Sequence, residues 1–315
     1  VLLATDGCIF LDDILDKGHM NRALQAIVAE GVDPVTAIQM GTINVARAYG
    51  IDHHVGSIAP GRKADLVLVS DLESFDVAEV FVDGKKFNDE NFTVPAFKYP
   101  DEVLNTVKLG EVSPATFWIE APVDAGEVKV RVMTIIEGTV ATREDHEMLA
   151  VKDGLLQPDI SRDLLKVAVF DRYREAGHHA LGIVRGFGFK QGAFGGSVGQ
   201  DSQNLAVVGT NDEDMALVVN TIREMQGGIV FATEGQVIAR VELPIAGIMS
   251  DVDPRELQQS FKKLHQSLFE RGSQQDNPSF DLSLLLTCAV IPELKITNRG
   301  LVDALSGQFV PLIME

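Results

Sequence analysis

The sequence predicts a multidomain chain, α/β in character at its start and α+β beyond residue 112. Three observations lead there. An apolar run, Val1-Leu2-Leu3-Ala4, delivers an acid, Asp6, at its C-terminal end, and two helical patterns follow. A Gly- and Pro-punctuated turn from Gly56 to Gly61 feeds the apolar, β-rich stretch Leu66-Val67-Leu68-Val69. Later, strands, helices and hairpin signals interleave, as in an α+β domain. An acid at the mouth of a strand is also where parallel α/β barrels place their chemistry. The expected divisions are residues 1–50, 51–112 and 113–315.

The elements follow in order. Met20, Leu24, Ile27 and Val28 mark one apolar helical face, closed by Gly31. Asp33 is an N-cap with Pro34 at the first helical position, and one helix is expected to run through Ala37, Ile38, Met40, Ile43 and Ala46 to Gly50. Residues 56–86 read as β, with Val80-Phe81-Val82 turning at Asp83-Gly84, a strong hairpin pair. Residues 88–112, broken by Pro95 and Pro100, read as a linker. Val128, Val130 and Val132 alternate with Lys129, Arg131 and Met133, predicting a half-buried strand; Leu164 to Phe170 and Leu205 to Val208 are further strands. Thr210 or Asn211 then caps a helix whose first turn, Asp212-Glu213-Asp214, suits the helix dipole. Met215, Val218, Val219, Ile222 and Met225 form its buried face, Gly227-Gly228 ends it, and two strands follow around Glu234-Gly235. Asp253 and Glu256 stand in capping-box positions for a last helix, with Leu257, Phe261, Leu264 and Leu268 on its face and Gly272 at its end.

Bulk properties narrow the function classes. The chain has 315 residues and a formal net charge of −19. That balance argues against nucleic acid or an anionic membrane as a partner, since both need a basic face. Only Cys8 and Cys288 are present, which fits a reducing, cytoplasmic compartment rather than a disulfide framework. No apolar run reaches the roughly 18 residues of a membrane span. The sequence opens at Val1, inside a strand pattern, so the expectation is the C-terminal part of a longer protein; a processed or truncated chain is the alternative.

Several constellations invite a chemical reading. Asp6 is the foremost candidate for catalysis, against the plainer reading of a loop acid capping a turn. Seven histidines are present (His19, His53, His54, His146, His178, His179 and His265), and none forms His-x-His. The adjacent pairs His53-His54 and His178-His179 read as solvated loop residues, because neighbours in a strand point apart. Gly195-Gly196-Ser197-Val198-Gly199 matches a nucleophile elbow, but the polar, Gly-rich approach to it lacks the apolar strand that motif needs. The glycines from Gly186 to Gly196 therefore either let backbone approach backbone or form a mobile loop.

The run Gly56-Ser57-Ile58-Ala59-Pro60-Gly61-Arg62-Lys63-Ala64-Asp65-Leu66-Val67, ending at Asp71, together with Asp6, resembles the closing segment of the amidohydrolase superfamily. The helix carrying Thr42, Asn44 and Ala46 is similar to that superfamily's penultimate helix. The resemblance implies the end of a (β/α)8 metal-dependent hydrolase barrel, followed by a small β-sandwich domain. It also implies that Asp6 binds a divalent metal and handles the proton of its water; a metal lowers that water's pKa towards 7. The superfamily's remaining metal ligands, contributed by histidines and a bridging group on earlier strands, are missing from this sequence.

A second resemblance spans Gly182 to Asn220, Gln226 to Phe231 and Leu243 to Asp251, with phrases near Asp71 and Pro292 agreeing. These are similar to the C-terminal α+β domain peculiar to bacterial and archaeal adenine deaminases. The resemblance implies hydrolysis of adenine to hypoxanthine and ammonia in purine salvage, a binuclear Mn or Fe centre, a purine base as substrate and a homo-oligomer. It also implies that the barrel of this chain alone is incomplete and inactive. Where many members carry His-Asp-Ser-His-Asn, this chain has Gln200-Asp201-Ser202-Gln203-Asn204. Glutamine keeps hydrogen bonding but loses the titratable ring. Asp201, Ser202, Gln203 and Asn204 are thus either substrate-binding or a polar loop. Another cyclic amide or amidine as substrate, and a non-catalytic assembly module, remain alternatives.

Overall fold

The protein is described by a computed structural model over residues 1–5, 11–88 and 97–314, with the backbone alone given for Asp12 and Asp13. It is a mixed α/β chain that divides into two compact units, residues 1–97 and 98–315.

In the first unit, helices α1 (Leu11–Lys17), α2 (Met20–Ala29), α3 (Pro34–Gly41) and α4 (Ile43–Ala48) precede a three-stranded antiparallel sheet. The expected face of α2 is only half-buried. Asp33 caps α3 by accepting the Thr36 backbone N–H at 2.9 Å. The single helix expected over residues 34–50 is two, because Thr42 leaves helical geometry (φ −128°, ψ −94°) while its hydroxyl donates to the Ile38 carbonyl at 2.6 Å. Such back-bonding by threonine bends helices. The strand expected at Val1 to Ala4 is also absent: the Leu3 N–H donates to the Met40 carbonyl at the end of α3. A strand needs a neighbouring strand to close its ladder, and none lies beside residues 1–5 among the described residues.

Strands β1 (Leu66–Val69), β2 (Val77–Val82) and β3 (Lys85–Lys86) pair in sequence. Asp83 and Gly84 turn β2 into β3 with φ of 48° and 76°, as their sequence predicted. Asp65 accepts the Asp83 N–H at 2.8 Å, so the acid of the Ala64-Asp65-Leu66 phrase secures this hairpin. Gly56 is required where it stands: φ is +98° and a Cβ would lie 2.7 Å from Ala46 Cβ. Where a β-sandwich was expected, the described residues give one layer, with Val67, Leu68, Val77 and Val82 about half exposed.

The second unit begins with the short helix α5 (Asp101–Leu104). Residues 107–112, expected within a linker, belong to its core: Val107, Leu109 and Val112 are buried, and the Asn220 side chain bonds both the N–H and the carbonyl of Val112. A nine-stranded sheet follows from β4 (Gly126–Ile135), β5 (Thr142–Lys152), β6 (Leu155–Leu156), β7 (Leu165–Phe170), β8 (His179–Arg185), β9 (Ala193–Gly196), β10 (Leu205–Gly209), β11 (Gly228–Thr233) and β12 (Gln236–Glu242). Its order is β12-β11-β9-β10-β7-β8-β4-β5-β6, antiparallel throughout except between β4 and β8.

Both faces of its centre are covered. Leu205, Val207, Val230 and Ala232 point towards α6 (Asp212–Glu224), where Met215, Val218, Val219 and Ile222 are buried. Their neighbours Ala206, Val208, Ile229 and Phe231 point the other way, onto Leu264 and Leu268 of α7 (Pro254–Phe269) and onto Leu282, Leu285 and Leu286. This is the period-two alternation of a strand buried on both sides. Met133 breaks the expected alternation of β4 for that reason and is fully buried. Asn211 caps α6 by accepting the Asp214 N–H at 2.7 Å. Asp253 caps α7 through the Arg255 N–H. A second small sheet, β13 (Leu294–Thr297), β14 (Gly300–Asp303) and β15 (Gln308–Val310), completes the unit.

The end of the glycine run, Ala193–Gly196, is strand β9 inside the sheet, while Gly186, Gly188 and Gly192 lie in the irregular segment that leads to it. A Cβ on Gly195 would lie 2.7 Å from Val218 Cγ1 and 2.9 Å from the Ala206 carbonyl, so glycine lets α6 sit directly on β9.

Candidate functional site

Asp6 lies outside the described residues. Just before it, the Thr5 hydroxyl and the exposed His19 Nε2 are 3.2 Å apart.

The second predicted group, Gln200 to Asn204, is brought together as one tight loop between β9 and β10. The Gln203 N–H donates to the Gly199 carbonyl, and Gln203 Oε1 accepts the Gly199 N–H at 3.1 Å. Gln203 adopts φ of 53°, which its side-chain bond across the loop helps to hold. Asp201 and Ser202 form the exposed tip, and Asn204 is buried at the foot of β10. Beneath the loop runs a π-helical turn, Asp281–Leu285, continuing to Cys288. The Gln200 N–H donates to the Ser283 carbonyl at 2.8 Å, and the Thr287 hydroxyl to the Gln200 carbonyl at 2.8 Å. Asp201 Oδ2 lies 4.0 Å from the buried Cys288 Sγ.

Two residues that sequence reasoning missed hold the loop from the other side. Arg172, 1 % exposed, donates from Nε to the Gln203 carbonyl, from Nη1 to Thr106 Oγ1 at 2.8 Å, and from Nη2 to the Ala246 carbonyl at 2.9 Å. Burial pulls its guanidinium below its ordinary value, and the adjacent Tyr173 opposes that pull. Its charge lies 4.5 Å from the centre of the Tyr173 ring, whose hydroxyl donates to the Ser202 carbonyl at 3.2 Å. The one local signal was an arginine two residues beyond the apolar run Val167 to Phe170.

Two further buried ionisable groups lie at the π-helical turn, Asp281 on the turn itself and Lys295 reaching it from β13. Asp281 is pushed up to about 7 by burial and by nearby Asp276, and its Oδ2 has no hydrogen-bond partner among the described residues. Lys295, fully buried, donates to the Leu285 carbonyl and is pulled down to about 8 by burial, with Cys288 opposing.

The other sequence candidates resolve into structural roles. Ser197 is buried, accepts the Gly228 N–H at 2.8 Å and donates to the Gly247 carbonyl, which leaves it no nucleophile's geometry. His265 Nε2 is engaged with Ser279 Oγ at 2.8 Å. His53 and His54 are exposed, as expected. His178 and His179 are also exposed, but His179 opens β8 rather than a loop and stacks on Phe170, where partial desolvation lowers its pKa. Among the described residues no group of three His, Cys, Asp or Glu side chains could hold a metal, and no helix is long and apolar enough to cross a membrane. A cavity of about 490 Å³ at the N-terminal end of α6 is lined by Lys190, Thr210, Glu213 and Thr233 among others, and by none of the predicted site residues.

Two family profiles match the chain. Residues 139–308 match the profile described as adenine deaminase C-terminal domain, and residues 1–87 match that of the amidohydrolase family. The chain is 40 % identical over 306 residues to an adenine deaminase of Clostridium botulinum (strain ATCC 19397 / Type A), covering 96 % of this chain and 51 % of that protein. It is 42 % identical to an adenine deaminase of Moorella thermoacetica over the same shares of both chains. Against the crystal structure of an amidohydrolase from Thermotoga maritima MSB8, the match is 30 % identical over 21 % of this chain and 18 % of that one. Its TM-score of 0.20 is too low to inform the fold. The chain spans about half the length of the curated relatives it matches.

Proposed function

We propose, from the premise that this chain belongs to the adenine deaminase family, that it forms the C-terminal half of an enzyme converting adenine and water to hypoxanthine and ammonia. The observation that carries this reading is the 306-residue match to adenine deaminases, continuous across both structural units. On this reading residues 1–50 close a (β/α)8 barrel, the following segment belongs to a small β-domain, and the remainder is the α+β domain peculiar to the family. The substrate is a purine base, the compartment cytoplasmic and the assembly a homo-oligomer. The net charge of −19 disfavours nucleic acid as a partner.

Asp6 is the chain's catalytic carboxylate in this proposal. It accepts a proton from the attacking water and returns it to the departing amine, so that the ring gains a carbonyl and ammonia leaves neutral. The family implies a metal cofactor, taken here as a binuclear Mn or Fe centre. The described residues do not supply a ligand set for it.

The loop Asp201-Ser202-Gln203-Asn204 is the second element assigned to substrate binding. Gln203, one of the two departures from the family pattern, spends its side chain on closing the loop itself, which supports retention of the family's substrate. The test is ammonia release from adenine. The full-length enzyme containing this chain is expected to turn adenine over, and the 315-residue chain alone is not. Turnover by the isolated chain, or none by the full-length enzyme, would refute the assignment.

A further inference from the structure

We propose that Arg172 is the positioning residue that fixes the loop Gly199–Asn204 and thereby aims Asp201 and Ser202; its catalytic consequence rests on the substrate-binding role given to that loop above. The geometry is unusual for a charge. A fully buried guanidinium ordinarily faces a carboxylate, yet none lies within ion-pair distance of Arg172 among the described residues. Its hydrogen bonds run instead to neutral oxygens on three separate segments: Thr106, Gln203 and Ala246. Taking a charge out of water is costly, and bonds from an ionised donor are stronger than neutral ones. A guanidinium kept in such a place joins segments that nothing apolar could hold in the same register.

The loop is therefore gripped between two supports. On one side are Arg172 and Tyr173, acting on the carbonyls of Gln203 and Ser202. On the other are Ser283 and Thr287, acting on Gln200. The tip, Asp201 and Ser202, is exposed while Gln200 and Gln203 are partly covered, with Cys288 shielded behind the loop at 4 % exposure. Losing the Arg172 support lets the loop lift off the turn, which uncovers the Cys288 thiol before it unfolds the unit.

The test uses full-length enzyme carrying Arg172→Met, with Thr106→Val as a milder variant that removes one acceptor and leaves the guanidinium in place. Peptide-resolved mass spectrometry follows maleimide labelling of Cys288, and amide exchange follows Gln200 and Gln203. Losing charge-assisted hydrogen bonds is expected to raise Cys288 labelling roughly ten- to a hundredfold in Arg172→Met, and less in Thr106→Val, with both proteins folded. KM for adenine rises while kcat changes little, as when a binding element is misplaced, and Arg172→Lys restores part of both signals. Unchanged labelling and exchange in the folded variants would overturn the clamp. Increased labelling with kinetics of the parent enzyme would leave the clamp standing and remove the loop from substrate binding.

Discussion

Asp281→Asn is expected to stabilise the protein, by an amount that depends on pH. Asp281 is 7 % exposed on the π-helical turn, its Oδ2 unpartnered among the described residues and its carboxyl held at about 7 against 3.8 ordinarily. Its folded value is raised, so the folded state keeps a proton that the unfolded chain releases. The stability carried by that proton is complete below pH 3.8 and is lost as pH rises to about 7. Each tenfold difference in proton affinity between the folded and unfolded states is worth about 1.4 kcal/mol, so the penalty grows from about 0.6 kcal/mol at pH 4 to a ceiling of about 4 kcal/mol at pH 8. Water entry and local relaxation reduce that ceiling, and a realised gain of roughly 2–4 kcal/mol at pH 8 is expected for Asn, which carries no charge to bury. Urea denaturation of parent and variant at pH 4 and pH 8 measures this directly. A variant gain that is the same at both pH values, or a loss of stability at pH 8, would refute the reasoning.

Two further perturbations test the second unit. Lys295→Met removes a fully buried ammonium held at about 8 rather than 10.5. Its folded value is depressed, so the penalty of the charge is full below about pH 8 and vanishes as pH rises towards 10.5; the variant gains up to about 3 kcal/mol at pH 7 and nothing near pH 11. Combined with Asp281, this places a trough in the parent protein's stability between about pH 7 and 8, visible in melting temperature against pH; a maximum there would contradict it. Gly195→Ala adds a Cβ 2.9 Å from the immovable Ala206 carbonyl and 2.7 Å from Val218. Overpacking of this kind costs about 1–3 kcal/mol, and a change below about 0.5 kcal/mol would show that α6 can shift away from β9.

Local sequence was a good guide wherever the determining contact lay within a few residues. The cap at Asn211, the apolar face from Met215 to Ile222 and the turns at Asp83-Gly84 and Glu234-Gly235 are of this kind, each fixed by bonds or backbone preferences between close neighbours in the chain. It misled where the deciding partner was remote. Residues 107–112 read as linker because Pro95 and Pro100 precede them, yet Val112 is bonded by Asn220, 108 positions away. The break at Thr42 turns on one hydroxyl choosing the Ile38 carbonyl, which no apolar periodicity reveals.

The candidate site was legible only through family likeness. Gln200 to Asn204 read as a polar loop by composition. Its order comes from Arg172, 31 positions from Gln203, and from the distant residues Ser283 and Thr287. Arg172 itself looked like an ordinary arginine at a strand end, because burial of a charge without an acid partner is a property of the assembled unit. The same holds for Asp281 and Lys295.

Asp6→Asn in the full-length enzyme tests the central claim most directly. The substitution preserves size and removes the proton-accepting charge, so kcat for adenine is expected to fall by at least about a hundredfold, the usual scale of one acid–base group, while the protein still folds. Adenine turnover at the parent rate in the Asp6→Asn enzyme would contradict the role given to this carboxylate.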